Sequence, residues 1–437
     1  MVGKRKTQIV VVGGGAGGLE LVRKLGARFG RKDHDVVLID KNLTHIWKPL
    51  LHEVAAGSLD ANLDEVGYGG HANRWGYRYF NGEVGRIDRE QRKVITKPLI
   101  DHKGNEIIAE HAIRYDYLVL AVGAVSNDFG IDGVKDNALF LESREQADMF
   151  RRRLLNECFR ANHLHEQGDE EAAVSITIVG GGATGVELAA ELVNAAERLK
   201  NYGLEVFDKS KLKVNLVEAG PRLLPALDEE LSKTAEEELE GLGVAVLTDS
   251  QIKRVKPGVA VSSKGDIPSR LVVWAAGVKG SEAAASMSDL ELNRLNQFVV
   301  RPTLQTKDDD RIFAIGDCCS CQLADMERPV PPRAQAAHQM AECVFKNLVL
   351  LQQGKDLEDF EYRDKGSLVS LSRFAAVGSL MGNLVGGRMA IEGRLARLAY
   401  LSLYRLHIMA IHGWLRGMAL IVVAHVNQIV RPNLKLH

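Results

Sequence analysis

No stretch of this 437-residue chain approaches the roughly 20 consecutive apolar residues that a membrane-spanning helix needs. The longest candidate, "MALIVVAHV" at 418–426, is about half that length. A signal peptide is not expected either. The start, "MVGKRKTQIVVVGGG", is basic and then apolar, but the apolar run covers only residues 9–12 and no small-residue cleavage site follows. Cysteine is scarce: Cys158, Cys318, Cys319, Cys321 and Cys343 are an odd set without framework spacing. This argues against a secreted disulfide scaffold and for a reducing compartment. The Cys-Cys-x-Cys run lacks a second cluster, so no metal site is expected. No charge excess exists: 56 Lys and Arg against 57 Asp and Glu give a net −1, and no nucleic-acid partner is expected. No Ser-His-Asp pattern stands out.

What is present begins with size. At 437 residues and 46% hydrophobic, the chain is too long for one ordinary core and implies two or three domains. Glycine carries the strongest signal. "TQIVVV" reads as a buried parallel strand, and Gly13, Gly15 and Gly18 follow at once. "LELVRKLGARFG" has helical spacing, and the strand "DVVLID" ends at Asp40. Strand, Gly-x-Gly-x-x-Gly, helix, strand and terminal acid form a dinucleotide-binding unit. Gly13 permits the tight turn, Gly15 the approach of a pyrophosphate, and Gly18 close helix packing. The helix N-terminus attracts phosphate, and Asp40 can accept from a ribose.

The device recurs about 170 residues later. "VSITIVG" leads into Gly180, Gly182 and Gly185, the helix "VELAAELVNAAERLK" follows, and "LKVNLVEAG" ends a strand at Glu218. A carboxylate there bonds ribose hydroxyls and repels a 2′-phosphate, which predicts NADH over NADPH. Arg222, four residues on, pulls the other way. "DYLVLAVGA" at 116–124 and "RLVVWAAGV" at 270–278 extend the duplication.

The two triplets, "AVGA" and the later "IFAIGDC" resemble the two-dinucleotide flavin reductases, in which the first site holds FAD and the second the nicotinamide. Within them the chain is similar to the type II NADH dehydrogenases, the non-proton-pumping NADH:quinone oxidoreductases, and to their bacterial members in particular. "HIWKPLLHEVAAGSLD" at 45–60, "PPRAQAAHQMA" at 331–341 and the C-terminal tail carry that match. The resemblance implies non-covalent FAD held by Gly13, Gly14, Gly15, Ala16, Gly18, Asp40, Lys48, Val84, Gly123, Asp317 and Ala334, with Gly316 and Asp317 at the flavin ribitol. It implies NADH on Gly180, Gly182, Gly185, Glu187, Glu218 and Gly277. A quinone, ubiquinone or menaquinone, would meet Gln335, His338 and Gln339. Glu187, Gln335, His338 and Lys48 are the candidate catalytic residues, and Lys365 is a weaker one. Glu187, read as lying in the first turn of its helix, has a dipole-stabilising acid as its alternative reading, and Glu20 occupies the same place after the first triplet. Gln335 and His338 share one helix face, and Pro331 and Pro332 suit a helix start.

Two rivals belong to the comparison. Dithiol reductases of this superfamily need a Cys-x4-Cys after the second strand, and residues 41–60 contain no cysteine. A sulfide:quinone oxidoreductase needs paired reactive cysteines by the flavin; Cys318, Cys319 and Cys321 follow Asp317, but they and Cys158 read as small buried or loop thiols. A non-catalytic, redox-dependent flavoprotein binding module is the alternative from another class.

From Gly393 onward there is no acidic residue, but six Lys or Arg and four His. On one helical wheel Arg394, Arg397, Arg405, His412 and Arg416 fall in a sector about 100° wide, while Leu395, Tyr400, Leu403, Leu406, Met409, Ile411 and Trp414 cover most of the remainder. A basic stripe on an apolar helix suits an anionic lipid surface; a helix docked on its own protein, or a homodimer contact, is the alternative. The expected fold is α/β: two Rossmann-like dinucleotide-binding domains plus a C-terminal strand and helix region that anchors to the membrane. The expected boundaries are 1–125 with 290–345 for FAD, 135–285 for NADH, and 346–437 for interface and membrane association. "YRDKGSLVSLSRFAAVGSLMGNLVGG" at 362–387 reads as strands and turns. The enzyme would lie peripherally on the cytoplasmic face of the inner membrane.

Overall fold

The computed structural model describes residues 5–31, 34–199, 204, 209–371, 376–382 and 387–430. The chain divides into two compact units. The first comprises 1–47, 65–125 and 278–363, the second 48–64, 126–277 and 364–437.

The first unit is built on a five-stranded parallel sheet in the order Ile312–Ala314, Tyr117–Leu120, Thr7–Val12, His34–Asp40, Arg78–Asn81. Ile9, Val10 and Val11 are fully buried, as expected of a strand covered on both faces. Val12 is level with Leu120 on one side and Ile39 on the other, so the strand ends together where the glycines begin. The first glycine helix, Ala16–Phe29, packs on the helix Ala334–Gln352 that carries the Gln-His motif. A Cβ on Gly17 would stand 2.9 Å from the Ala337 carbonyl oxygen, so this glycine sets how closely the two helices approach.

The second unit repeats the arrangement with four parallel strands, Ala245–Leu247, Leu212–Val217, Val174–Val179 and Leu271–Trp274. In both units the glycine-bearing strand lies between the acid-bearing strand and the strand that ends in the later glycine. The junction hydrogen bonds match too: Gly13 N–H to Ile39 O and Gly180 N–H to Val217 O, each at 2.8 Å. A three-stranded antiparallel sheet accompanies each parallel sheet, Val84–Asp88 with Lys93–Thr96 and His111–Arg114 in the first unit, and Ile252–Lys256 with Val259–Ser262 and Gly265–Pro268 in the second. The duplication is therefore one of topology, not only of motif.

Residues 364–437 belong to the second unit. Strands Gly366–Ser370, Ala376–Gly382 and Gly387–Glu392 form an antiparallel sheet. Two helices follow, Gly393–His412 and Trp414–Val430, separated at Gly413, whose φ is +79°. The single wheel drawn through Trp414 and Arg416 does not hold, because the left-handed glycine resets the helix direction. The side chains of Arg394, Leu395, Arg397, Tyr400 and Leu403 lie outside the described residues. Ile408 and Ile411 are buried, whereas Arg405, Leu406, Trp414 and Arg416 are exposed. Among the described residues no helix is long and apolar enough to cross a membrane.

Candidate active site

The two glycine loops have one geometry. Gly13 and Gly180 sit at φ +100° and +117°, where a side chain is strained. A Cβ on Gly18 would fall 1.9 Å from Gly13 O, and one on Gly185 2.0 Å from Gly180 O. The outer glycines are thus closed by backbone. The middle ones are not: a Cβ on Gly15 or Gly182 would meet nothing within 4 Å. A turn packed only for its own sake would be filled there. Open space over the middle glycine, at the N-terminus of a buried helix, fits a pyrophosphate. Ala16 and Ala183 are the first helical residues at those termini.

The strand-end acids pin these loops. Asp40 accepts from Gly14 N–H at 2.6 Å and Asn42 N–H at 2.8 Å, and Glu218 accepts from Gly181 N–H at 2.6 Å and Gly220 N–H at 2.7 Å. Burial pushes the Asp40 carboxyl up from its ordinary range, against the pull of those amides. Gly14 O accepts from Tyr68 Oη at 2.8 Å and lies 2.9 Å from His45 Nδ1, so both polar groups of Gly14 are engaged within the first unit. Arg222 donates to Leu227 O at 2.8 Å and Pro225 O at 3.2 Å, which turns its guanidinium onto its own loop.

Other candidates are distributed as follows. Gly123 and Gly277 occupy equivalent places after their strands, at φ +72° and +63°. Val84 is buried at the start of its strand. The Asp317 carbonyl accepts from Gln297 Nε2 at 2.9 Å beside Gly316 at φ +73°. Ala334 opens the motif helix, and Gln335 beside it is half-buried. The Gln339 amide is engaged at both ends with the Arg363 backbone, at 3.0 Å each way. Lys48 and Lys365 are exposed members of the second unit.

His338 is half-buried, stacks on Trp47 with ring centroids 5.7 Å apart, and places Nδ1 against the Glu20 carboxylate. Lys24 reaches the same carboxylate at 2.5 Å and also pairs with Glu342. Burial alone would raise the Glu20 carboxyl; His338 and Lys24 outweigh it and hold the group down at about 2. In the second unit Glu187 Oε1 accepts from Ser370 N–H at 3.1 Å, and Oε2 lies 3.5 Å from His52 Nδ1. Glu187 is not in the first turn: its helix starts at Ala183, before the third glycine, and the acid is the fifth helical residue. Because dipole stabilisation fades beyond the first turn, that account of Glu187 weakens.

All five cysteines are free thiols. Burial pushes Cys318 and Cys321 up to about 11, Cys158 and Cys343 to about 12, and Cys319 well above its ordinary value. Protonated thiols are poor nucleophiles, and all but the half-buried Cys343 are also closed off from solvent. Among the described residues no group of His, Cys, Asp and Glu could hold a metal ion.

Residues 7–341 match the pyridine nucleotide-disulphide oxidoreductase family. The type II NADH:quinone oxidoreductase of Haemophilus influenzae is 45% identical, over 98% of this chain and 99% of that protein. The chain belongs to the type II NADH:quinone oxidoreductases. The Staphylococcus aureus member of the family is 33% identical, over 88% of this chain and 92% of that protein. Among solved structures, NDH2 from Plasmodium falciparum in complex with NADH superposes with a TM-score of 0.82 at 20% identity, covering 99% of this chain and all of that one. The sulfide:quinone oxidoreductase of Aquifex aeolicus shares the fold at a TM-score of 0.72 and 18% identity, covering 97% of this chain and 95% of that one. This oxidoreductase is therefore a flavoprotein that takes electrons from NADH and delivers them to a quinone. Sequence reading missed His52 and the pairing of Glu20 with His338.

Proposed function

We propose that the enzyme holds non-covalent FAD in the first cradle and binds NADH in the second, passing two electrons to a membrane quinone without proton pumping. The observation that carries this reading is the paired cradle, open over Gly15 and over Gly182 and closed elsewhere. FAD, when bound, supplies the hydride acceptor and the two-electron relay. The protein's own residues orient, select and manage protons. Glu218 presents a carboxylate where the ribose would lie and disfavours a 2′-phosphate, and Arg222, held by its own loop, does not counter it. Each turnover converts NADH, a proton and quinone to NAD and quinol, so one proton is drawn from water. Glu187, held at both oxygens, is the candidate carrier near the nicotinamide, and Gln335 and His338 are the candidates that position a quinone oxygen.

We propose further that the tail rests on the membrane surface, on the side where NADH is made. Leu415, Met418, Val422, Val423 and Val426 recur at helical spacing and are all exposed, with Trp414 and Arg416 beside them. That row lies on the second tail helix rather than on the basic stripe of the first. The same surface would serve a homodimer, which analytical ultracentrifugation without lipid distinguishes.

The test is anaerobic titration of the flavin-loaded protein. NADH should bleach the flavin absorbance and a short-chain quinone should restore it; an unbleached flavin would sink the reading. Flavin reduction by sulfide would favour the sulfide reading, which the buried thiols disfavour. Reduction without steady-state quinone turnover would favour the binding module.

A further inference from the structure

Glu187 is 7% exposed and His52 4%. His52, in the short helix Leu51–Ala56, places Nδ1 3.5 Å from Glu187 Oε2 and Nε2 3.9 Å from Glu53 Oε1. An imidazole thus stands between a buried acid and one nearer the surface, both within ion-pair reach. Its helix packs on the second glycine helix, which carries Glu187 and, one turn on, Glu191, and on the helix Arg144–Glu166, which carries Arg151, itself paired with Asp148 at 2.9 Å; Lys48 lies in the turn before it. Strand Gly366–Ser370 contributes the Ser370 amide.

The first cradle provides an internal comparison. Glu20, at the position equivalent to Glu187, also faces a histidine Nδ1, but Lys24 one turn on supplies a permanent cation. In the second cradle that position is Glu191, an acid. A protonated His52 at this distance favours the Glu187 carboxylate, and a neutral one favours it far less.

We propose that His52 is a positioning residue for Glu187, fixing its carboxylate and setting its charge by gaining and losing its own proton during turnover. The inference rests on the reading of Glu187 as a participant in NADH oxidation. It assigns the histidine of "PLLHEV" a function through a residue 135 positions away, which sequence spacing does not suggest.

The experiment measures steady-state turnover of NADH and a short-chain quinone by the full-length, flavin-loaded enzyme across pH, for wild type, E187Q, H52A, H52N and the H52A/E187Q pair. E187Q is expected to lower kcat about a hundredfold and H52A about tenfold, with the pair no worse than E187Q because one residue acts through the other. H52N keeps an N–H but cannot become charged. Wild type is expected to show a step in kcat between about pH 5 and 8, and H52N to lose that step while retaining flavin content and the KM for NADH. Multiplying effects in the pair, or a step retained in H52N, overturns the inference. Impaired E187Q with normal H52A and H52N overturns it alone, whereas normal turnover of E187Q overturns the reading of Glu187 as well.

Discussion

Glu20 and Glu187 each lie two residues past the third glycine of a triplet, and each turns its carboxylate to the Nδ1 of a histidine remote in sequence. Both are buried. Their difference is the residue one turn on, Lys24 in the first copy and Glu191 in the second. In the first copy the charge of the acid is fixed by its cation; in the second the same place holds another carboxylate.

The fixed copy should act on stability. The Glu20 carboxyl is held at about 2 against an ordinary value of 4.5, so its contribution is complete above 4.5 and is lost as pH falls from there toward 2. E20Q should be less stable than wild type at pH 7 by on the order of 3 kcal/mol. The gap should close as pH is lowered through that window. Thermal denaturation of both proteins across pH measures it; a gap that stays constant would show that the contribution is packing rather than charge.

The glycines should separate into two classes. G15A and G182A place a methyl in open space and should fold normally, G15A losing flavin and G182A raising the KM for NADH about tenfold or more. G18A and G185A drive a Cβ into a carbonyl about 2 Å away and should lower the melting temperature or fail to accumulate. Flavin content after gel filtration, with kinetics on what survives, distinguishes the classes. A G15A protein with full flavin would remove the pyrophosphate from that place.

E218A removes the acceptor of two loop amides and, on the proposed function, the carboxylate that selects the ribose. The ratio of kcat/KM for NADH over NADPH should fall by about tenfold or more, chiefly through NADH. An unchanged ratio would mean selection occurs elsewhere.

On the tail, L415D and V422D put charges into the exposed row. Each should weaken co-sedimentation with anionic vesicles without altering bleaching of the flavin by NADH. Truncation before Gly393 should abolish co-sedimentation, and persistence after truncation would place the membrane contact outside the tail.

Much of this architecture is legible in the sequence because its signals are local. A β-branched run, three glycines and a terminal acid specify strand, turn and helix within about 32 residues, and the whole pattern occurs twice. The break at Gly413 is less visible, since a glycine inside an amphipathic pattern is often tolerated. The helix starts at Ala16 and Ala183 are hidden because the third glycine looks like a boundary, yet it lies inside the helix, where it closes on the first glycine's carbonyl. The acid–histidine pairs were not legible at all. Nothing in the spacing of 20 to 338 or of 52 to 187 couples them; the fold does.

Gly413 has a consequence for reach. At about 1.5 Å per residue the two tail helices are roughly 30 and 26 Å long, whereas one unbroken helix would extend to nearly 57 Å. Broken there, with Gly417 lying against Met409, the chain confines the exposed apolar row from Leu415 to Val426 to the shorter second helix, a patch rather than a pole. Adhesion by a patch is shared among many side chains, so it should decline gradually as they are removed singly, and no one of them should act as the anchor.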